Sequence, residues 1–150
     1  MNEIIENMIT RRSIRGFKPD MPPQELIDEI IKAGTYAPTG HGSQSPVIVC
    51  VTRKDVRDRL SAFNAKLLGT GIDPFYGGPV VLVVLADRSV PTHVYDGSLV
   101  MGNMLNAAHA VGLGGIWIHR AKEEFDSPEG KALLKEWGIE GDYEGIGHCM

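Results

Sequence analysis

Apolar residues recur at helical spacing in several stretches of the chain. Ile4, Ile5, Met8 and Ile9 fall on one face of a helix predicted over residues 2–11. The next helix should follow the start signal at residues 20–23 and end at Gly34. The same analysis predicts three further helices, over residues 54–68, 92–111 and 127–138.

Short apolar runs rich in β-branched residues predict strands between these helices. They cover residues 47–52, 80–86 and 116–118, and the run at 80–86 is apolar throughout, which is typical of a strand covered on both faces. Residues 143–150 resemble the beginning of a strand that is cut short, and its unpaired end would leave an exposed edge. The Gly- and Pro-containing stretch at 69–79 predicts a mobile surface loop.

The helix predicted over residues 92–111 has little polar face. Its apolar positions are Leu99, Val100, Met101, Met104, Leu105, Ala107, Ala108 and Ala110. Such a helix is buried by its own domain or by a partner chain, and a chain of 150 residues could hardly cover it alone.

Composition narrows the class of protein. With 150 residues, of which 43% are hydrophobic and 23% charged, the chain fits one globular domain. A net charge of -4 argues against a general nucleic-acid binder. The two cysteines have no metal-site or disulfide spacing, and no segment resembles a signal peptide or a membrane span. We therefore expect a cytoplasmic protein with no metal and no membrane association.

Candidate chemistry lies in three stretches. Residues 11–17, Arg-Arg-Ser-Ile-Arg-Gly-Phe, place three guanidinium groups and a hydroxyl behind the first helix, where they could hold an anion or form a solvated helix end. Residues 37–46 form a loop rich in Gly, Ser and Pro. Residues 112–115, Gly-Leu-Gly-Gly, follow a helix and enter a strand, the reverse of a dinucleotide fingerprint.

These three stretches, in this order, resemble the nitroreductase family of FMN-dependent oxidoreductases. The resemblance implies an α+β domain over residues 1–150, with a central mixed β-sheet flanked by helices. It also implies a homodimer formed through the long buried central helix, with FMN in a cleft shared by two subunits. The family places a further strand and a basic phosphate ligand beyond the position of Met150, so we expect this chain to lack the usual C-terminal segment.

The resemblance also implies roles for the arginine run. Arg11 and Ser13 correspond to contacts with the phosphate and the ribityl chain of FMN, and Arg15 to a residue near the pyrimidine edge of the ring. A cation there would stabilise the anionic reduced flavin. Arg12 lies within the motif, although its side chain could equally be solvated.

In the second stretch, four residues correspond to positions that cup the flavin of the partner subunit: Pro38, Thr39, Gly40 and Gln44. His41 could be a substrate-side donor or a solvated loop histidine.

Residues 112–115, the glycine exit from the long helix, form the third stretch. The resemblance implies that a backbone N–H near Gly114 or Gly115 faces flavin N5, although close packing alone would also explain both glycines. No catalytic side chain is expected, because the flavin carries the chemistry.

The implied function is an NAD(P)H-dependent oxidoreductase with a ping-pong reaction. NADH or NADPH would reduce the flavin, which would then reduce a small-molecule acceptor such as a nitroaromatic, a quinone or another electrophile. Three alternatives remain: a flavin-binding protein without turnover, a dehalogenase or flavin-cleaving branch, and a basic patch for a nucleic acid or an acidic partner.

Overall fold

The computed structural model describes residues 1–150 as six α-helices, four strands and a short 3-10 turn. The helices are α1 (Glu3–Thr10), α2 (Gln24–Thr35), α3 (Lys54–Leu68), α4 (His93–Ala110), α5 (Ala121–Asp126) and α6 (Pro128–Glu136). The strands are β1 (Val47–Val51), β2 (Val81–Asp87), β3 (Trp117–Ile118) and β4 (Tyr143–Cys149), and the 3-10 turn spans Gly40–Gly42. Every helix and strand predicted from the sequence is present, and α5 is the one helix that was missed.

The strands form one sheet in the order β1-β2-β4-β3. All three strand pairs are antiparallel. The expectation of a mixed sheet is wrong, because the one parallel pairing, an isolated bridge between Ser13 and Gly115, lies outside the four strands. The predicted α+β class is confirmed.

The expectation that residues 143–150 form an unpaired strand end is wrong. Strand β4 lies inside the sheet, where Cys149 is opposite Leu82 on one side and Trp117 on the other. The N–H of Met150 donates to the carbonyl of Ile116 at 3.0 Å. The glycines that suggest a weak strand allow close packing, since a Cβ on Gly147 would lie 2.6 Å from Trp117 Nε1.

Both faces of β2 are covered, as its sequence predicts. Val81, Val83 and Leu85 belong to one apolar cluster, together with residues of α3, α5 and α6. The alternate residues, such as Val84, belong to a second cluster with residues of α2 and α4. Because side chains alternate along a strand, a fully apolar run serves both layers.

The stretch at 69–79, predicted to be a mobile surface loop, is packed into the structure instead. Phe75 is fully buried in the first apolar cluster. Arg57 of α3 donates from Nε to the carbonyl of Gly78 at 2.8 Å and forms an ion pair with Asp73. Its Gly and Pro residues therefore shape a fixed turn around a buried aromatic ring.

Helix α4 is covered on one side only within the single chain. Val100, Met101 and Met104 are buried against the sheet and α2. On the opposite side, 48% of Leu99 and 73% of Tyr95 are exposed. The apolar face of α1 is also open, and α1 has no buried residue. None of the helices combines the length and hydropathy needed to cross a bilayer.

Candidate functional site

The arginine run begins where α1 ends, and polar contacts attach this end of α1 to the last turns of α4. Asn7 donates from Nδ2 to the carbonyl of Asn106 at 2.9 Å. Thr10 Oγ1 and His109 Nε2 are 3.0 Å apart. The run is therefore held at the C-terminal end of α4.

The three arginines of this run have different environments. Arg12 donates from one guanidinium nitrogen to the carbonyls of Ile9 at 3.0 Å and its neighbour Arg11 at 2.8 Å, so it caps the C-terminus of α1. The guanidinium groups of Arg11, partly buried, and Arg15, exposed, have no hydrogen-bond or ion-pair partner in the chain. These two cations remain available for an anion.

The glycine exit lies directly beside the arginine run. The Ser13–Gly115 bridge joins the two segments, and the N–H of Ile14 donates to the carbonyl of Gly115 at 3.1 Å. A Cβ on Gly114 would lie 3.1 Å from Ile14 and 3.2 Å from Phe17, so a side chain there would be crowded. The N–H of Gly114 has no backbone acceptor. The structure thus brings a free N–H next to the chain segment that carries the two unpaired guanidinium groups.

The loop containing Pro38, Thr39, Gly40 and Gln44 is ordered by its own hydrogen bonds. Thr39 Oγ1 donates to Gln44 Oε1 at 2.8 Å and accepts from the Gln44 N–H at 3.0 Å. Gln44 Nε2 donates to the carbonyl of Thr35 at 3.1 Å. These side chains therefore fix the loop, while Pro38 is exposed at its start.

His41 lies at the exposed tip of this loop in a left-handed backbone conformation, with φ 53°. Gln44 also has a positive φ, of 52°. Such conformations are uncommon outside glycine and persist where the surroundings hold them. The His41 imidazole is consequently presented to solvent from a defined backbone.

Within one chain, this loop does not meet the arginine run. The N–H of Gly40 donates to Asp96 Oδ1 at 2.9 Å, which places the loop at the N-terminal end of α4. Asp96 and His109 are about 20 Å apart along the helix at a rise of ~1.5 Å per residue. The predicted site residues therefore form two half-sites at opposite ends of α4. The loop half-site, residues 38–44, lies at the N-terminal end, and the arginine half-site, residues 11–15 with Gly114 and Gly115, lies at the C-terminal end.

Asp96 is a residue of the loop half-site that sequence analysis did not identify. It is only 2% exposed and lies in the first turn of α4. An acidic residue in a first helical turn is an ordinary helix start signal. Its contact with Gly40 joins positions 56 apart in the sequence, and no local pattern reveals that contact.

A cavity of about 450 Å³ adjoins the arginine run and the glycine segment, since Ile14, Gly16 and Gly114 are among its lining residues. It is mainly apolar and lies between the Ile14–Phe17 segment and the start of α2, and Lys18 and Asp20 are its charged lining residues. None of the three arginines lines it. The cavity therefore does not offer the cation pair that an anionic group requires.

The fold and site define an α+β protein with two unpaired guanidinium groups at the C-terminal end of its central helix, and known proteins share this fold. The nitroreductase family model matches residues 8–72, from the end of α1 through α3 and into the loop that follows it. A nitroreductase with bound FMN from Desulfitobacterium hafniense superposes with a TM-score of 0.89 at 25% identity, covering 100% of this chain and 88% of that one. The chain is similar to proteins of the nitroreductase family, which is the resemblance that its three motifs predict.

Two curated relatives have flavin-linked names. An FMN reductase [NAD(P)H] from Bacillus subtilis is 26% identical over 137 residues, which cover 76% of this chain and 53% of the relative. An NADPH-flavin oxidoreductase from Vibrio harveyi is 30% identical over 152 aligned positions, covering 89% of this chain and 63% of the relative. The chain thus spans less than two thirds of either relative.

Proposed function

We propose that the protein binds FMN and is an NAD(P)H-dependent oxidoreductase that reduces small electrophiles such as quinones and nitroaromatics. The observation that carries this proposal is that the segment with the unpaired guanidinium groups of Arg11 and Arg15 pairs with the segment that carries the free N–H of Gly114. The proposal is supported by the FMN-bound structural relative and by the names of the curated relatives.

The residues of the arginine half-site fit the chemistry of FMN. Arg11 is partly buried, so a charge-assisted bond from its guanidinium to a phosphate oxygen would be only partly screened by water. The exposed hydroxyl of Ser13 has no partner in the protein and can donate to the ribityl chain. The absence of a side chain at Gly114 allows a flat ring to approach its N–H. When bound, FMN supplies the two-electron chemistry that these side chains do not.

We also propose that the working unit is a homodimer. A two-fold axis near the middle of α4 would pair this helix with its copy in antiparallel orientation, as a self-complementary interface requires. The loop half-site of one chain would then lie near the arginine half-site of the other. The exposed apolar residues on α1 and α4 suit this contact: Ile4, Ile5, Met8, Ile9, Tyr95 and Leu99.

In this dimer, Pro38, Thr39, Gly40 and Gln44 form the wall of the cofactor cleft opposite Arg11 and Arg15. The exposed His41 is placed to donate a hydrogen bond to an acceptor bound over the ring. Donor and acceptor would use the same open face in turn, which predicts ping-pong kinetics. Exposed loops positioned by a rigid scaffold commonly carry such binding groups.

The first test is the absorbance spectrum of the purified protein after incubation with FMN and removal of free cofactor. We expect a protein-bound oxidised flavin spectrum that bleaches anaerobically with NADH or NADPH and returns when a quinone is added. Retained flavin that neither nucleotide reduces would instead indicate a flavin-binding protein without turnover. A protein that retains no flavin at any FMN concentration tested would contradict the proposed cofactor.

A further inference from the structure

Asp96 carries a buried carboxylate whose two oxygens serve different parts of the chain. Oδ1 accepts the backbone N–H of Gly40 at 2.9 Å, and Oδ2 accepts the hydroxyl of Thr92 at 2.8 Å. No cation lies within ion-pair distance of either oxygen. A buried carboxylate without a cation is costly to keep, and here its compensation comes from these donors and from the N-terminal end of α4.

The hydrogen bond between Asp96 and Gly40 connects α4 to a different part of the chain. Thr92 and Asp96 both belong to the start of that helix, so their contact is local. Gly40 belongs to the loop half-site and packs so closely on the Thr92 side chain that no Cβ would fit between them. Asp96 therefore joins the framework of α4 to the first residue of the turn that contains His41.

The backbone of this loop adopts a conformation that is unfavourable for non-glycine residues. His41, Gly42 and Gln44 all have positive φ angles, of 53°, 63° and 52°. Non-glycine residues persist in this region where neighbouring contacts over-determine the backbone. The hydrogen bonds between Thr39 and Gln44 lie within the loop. The hydrogen bond from the Gly40 N–H to the Asp96 side chain connects the loop to α4, which packs on the sheet.

We infer that Asp96 is a positioning residue of the cofactor and acceptor site. It holds the loop of residues 38–44 in the backbone conformation that forms the outer wall of the flavin cleft and presents His41. This inference rests on the proposed function for the identity of the ligand. The mechanical link between Asp96 and the loop is independent of any ligand.

The first experiment measures amide hydrogen exchange in the unmodified protein without cofactor. The Gly40 amide should exchange at least tenfold more slowly than the His41 amide, which has no acceptor in the chain. Equal exchange rates at these two positions would overturn the anchor. This experiment requires neither a variant nor flavin binding, so it tests the link between Asp96 and the loop even if the proposed cofactor is wrong.

The second experiment compares three variants in amide exchange and in titration with FMN. Asp96→Ala removes both acceptors, and we expect faster exchange across residues 40–44 and an FMN dissociation constant raised about tenfold. Asp96→Asn keeps an oxygen for the Gly40 N–H and should restore both quantities to within about twofold. Thr92→Val keeps the side-chain shape but loses the local bond to Asp96, and it should leave the loop unchanged.

The variants also separate a positioning role from general stability. With a quinone as acceptor, Asp96→Ala should raise KM more than it lowers kcat, and Asp96→Asn should not. If Asp96→Ala folds with unaltered loop exchange and unaltered FMN affinity, the inference is wrong. If the unmodified protein binds no FMN while its Gly40 amide is protected, the proposed function fails and the anchor stands.

Discussion

A single carboxylate organises the turn that follows α3. The Asp73 carboxylate accepts a hydrogen bond from the Ser61 hydroxyl at 2.6 Å. It also accepts hydrogen bonds from the backbone N–H groups of Phe75 and Gly77, each at 2.9 Å, and forms an ion pair with Arg57. Burial alone would raise the pKa of Asp73, but the hydrogen bonds from Arg57, Ser61 and the two amides outweigh it and lower this pKa to about 2.

Asp73→Asn should therefore remove a pH-dependent part of the stability. The folded-state pKa, about 2, lies below the ordinary value of 3.8, so the charged group stabilises the fold above pH 3.8 and loses this effect as the pH falls toward 2. Solvent screening of a carboxylate that is one-third exposed limits the effect to about 1 kcal/mol. Chemical denaturation of the parent and the variant at several pH values measures the difference.

A suitable control for that experiment is Asp55→Asn. Asp55 is also paired with an arginine, Arg53, but both side chains are largely exposed. Such pairs contribute little to stability. A loss at Asp55 as large as that at Asp73 would mean that the hydrogen bonds in the turn are not the cause.

The arginines allow a matched comparison. Arg11→Ala should weaken FMN binding about ten- to a hundredfold, because a charge-assisted bond is worth roughly 1.5–3 kcal/mol. Arg12→Ala should weaken it much less, because the Arg12 guanidinium is engaged by carbonyls at the end of α1. Flavin titration of both variants decides the matter, and equal losses would contradict the division of roles.

At the scale of residues, the sequence identifies groups that form a compact motif and misses groups whose partners are backbone atoms elsewhere. The arginine run and the glycine exit can be identified because the family places these residue types at fixed spacing. Asp96 and Asp73 bind backbone N–H groups, and every residue except proline has one. Their roles therefore become visible only with the fold.

At the scale of elements, α4 and α1 present the surface on which the proposed dimer depends. Leu105, an apolar residue of α4, is not a clean probe of that surface. Leu105 packs against the second apolar cluster. It also lies against Gly115, where an added Cβ would be 3.3 Å from Leu105 Cδ2. Leu99 is 48% exposed on the open side of the same helix and is the better position to test.

Leu99→Asp should dissociate the dimer and release flavin while the monomer stays folded. A charge at this position would be buried without a partner in the interface but solvated in the monomer. Light scattering gives the mass, and absorbance gives the retained flavin. The control is Leu68→Asp on α3, where an exposed leucine lies on the side of the sheet away from α4. An intact flavinated dimer with Leu99→Asp would remove α4 from the interface.

Element prediction succeeded where periodicity was strong and failed where packing decided the structure. Helix α3 was predicted with its observed ends, Lys54 and Leu68. Helix α5 has six residues, too few for a periodic pattern, and it forms because Phe125 and Ala121 pack into the core. Strand β4 contains two glycines that weaken any local strand signal. Its neighbours on both sides determine its conformation.

At the scale of the whole molecule, a buried polar cluster joins α3, α5 and β4. Glu124 and His148 are fully buried, with Oε2 and Nε2 2.6 Å apart. Asn64 donates to Glu124 and also to the carbonyl of His119, the latter at 2.9 Å. Arg120 donates from Nε to Asn64 Oδ1 at 2.9 Å, which extends the cluster toward the surface.

Glu124→Leu should destabilise the protein by about 3–5 kcal/mol, because it leaves His148 and Asn64 buried with fewer partners. Glu123→Leu changes an exposed neighbour on the same helix and should have little effect. Denaturant unfolding of both variants measures the two losses. Similar losses would show that the buried cluster does not hold this part of the fold.

The separation of the two half-sites along α4 has a genetic consequence. In the proposed dimer, each complete site takes its arginines from one chain and its loop from the other. At an FMN concentration too low to saturate either variant, a chain defective in Arg11 and a chain defective in the loop would each have little activity alone. A mixed dimer of the two would contain one site with both lesions and one site with none. Co-expression should therefore restore up to half of the activity per mixed dimer, so the two alleles would complement each other.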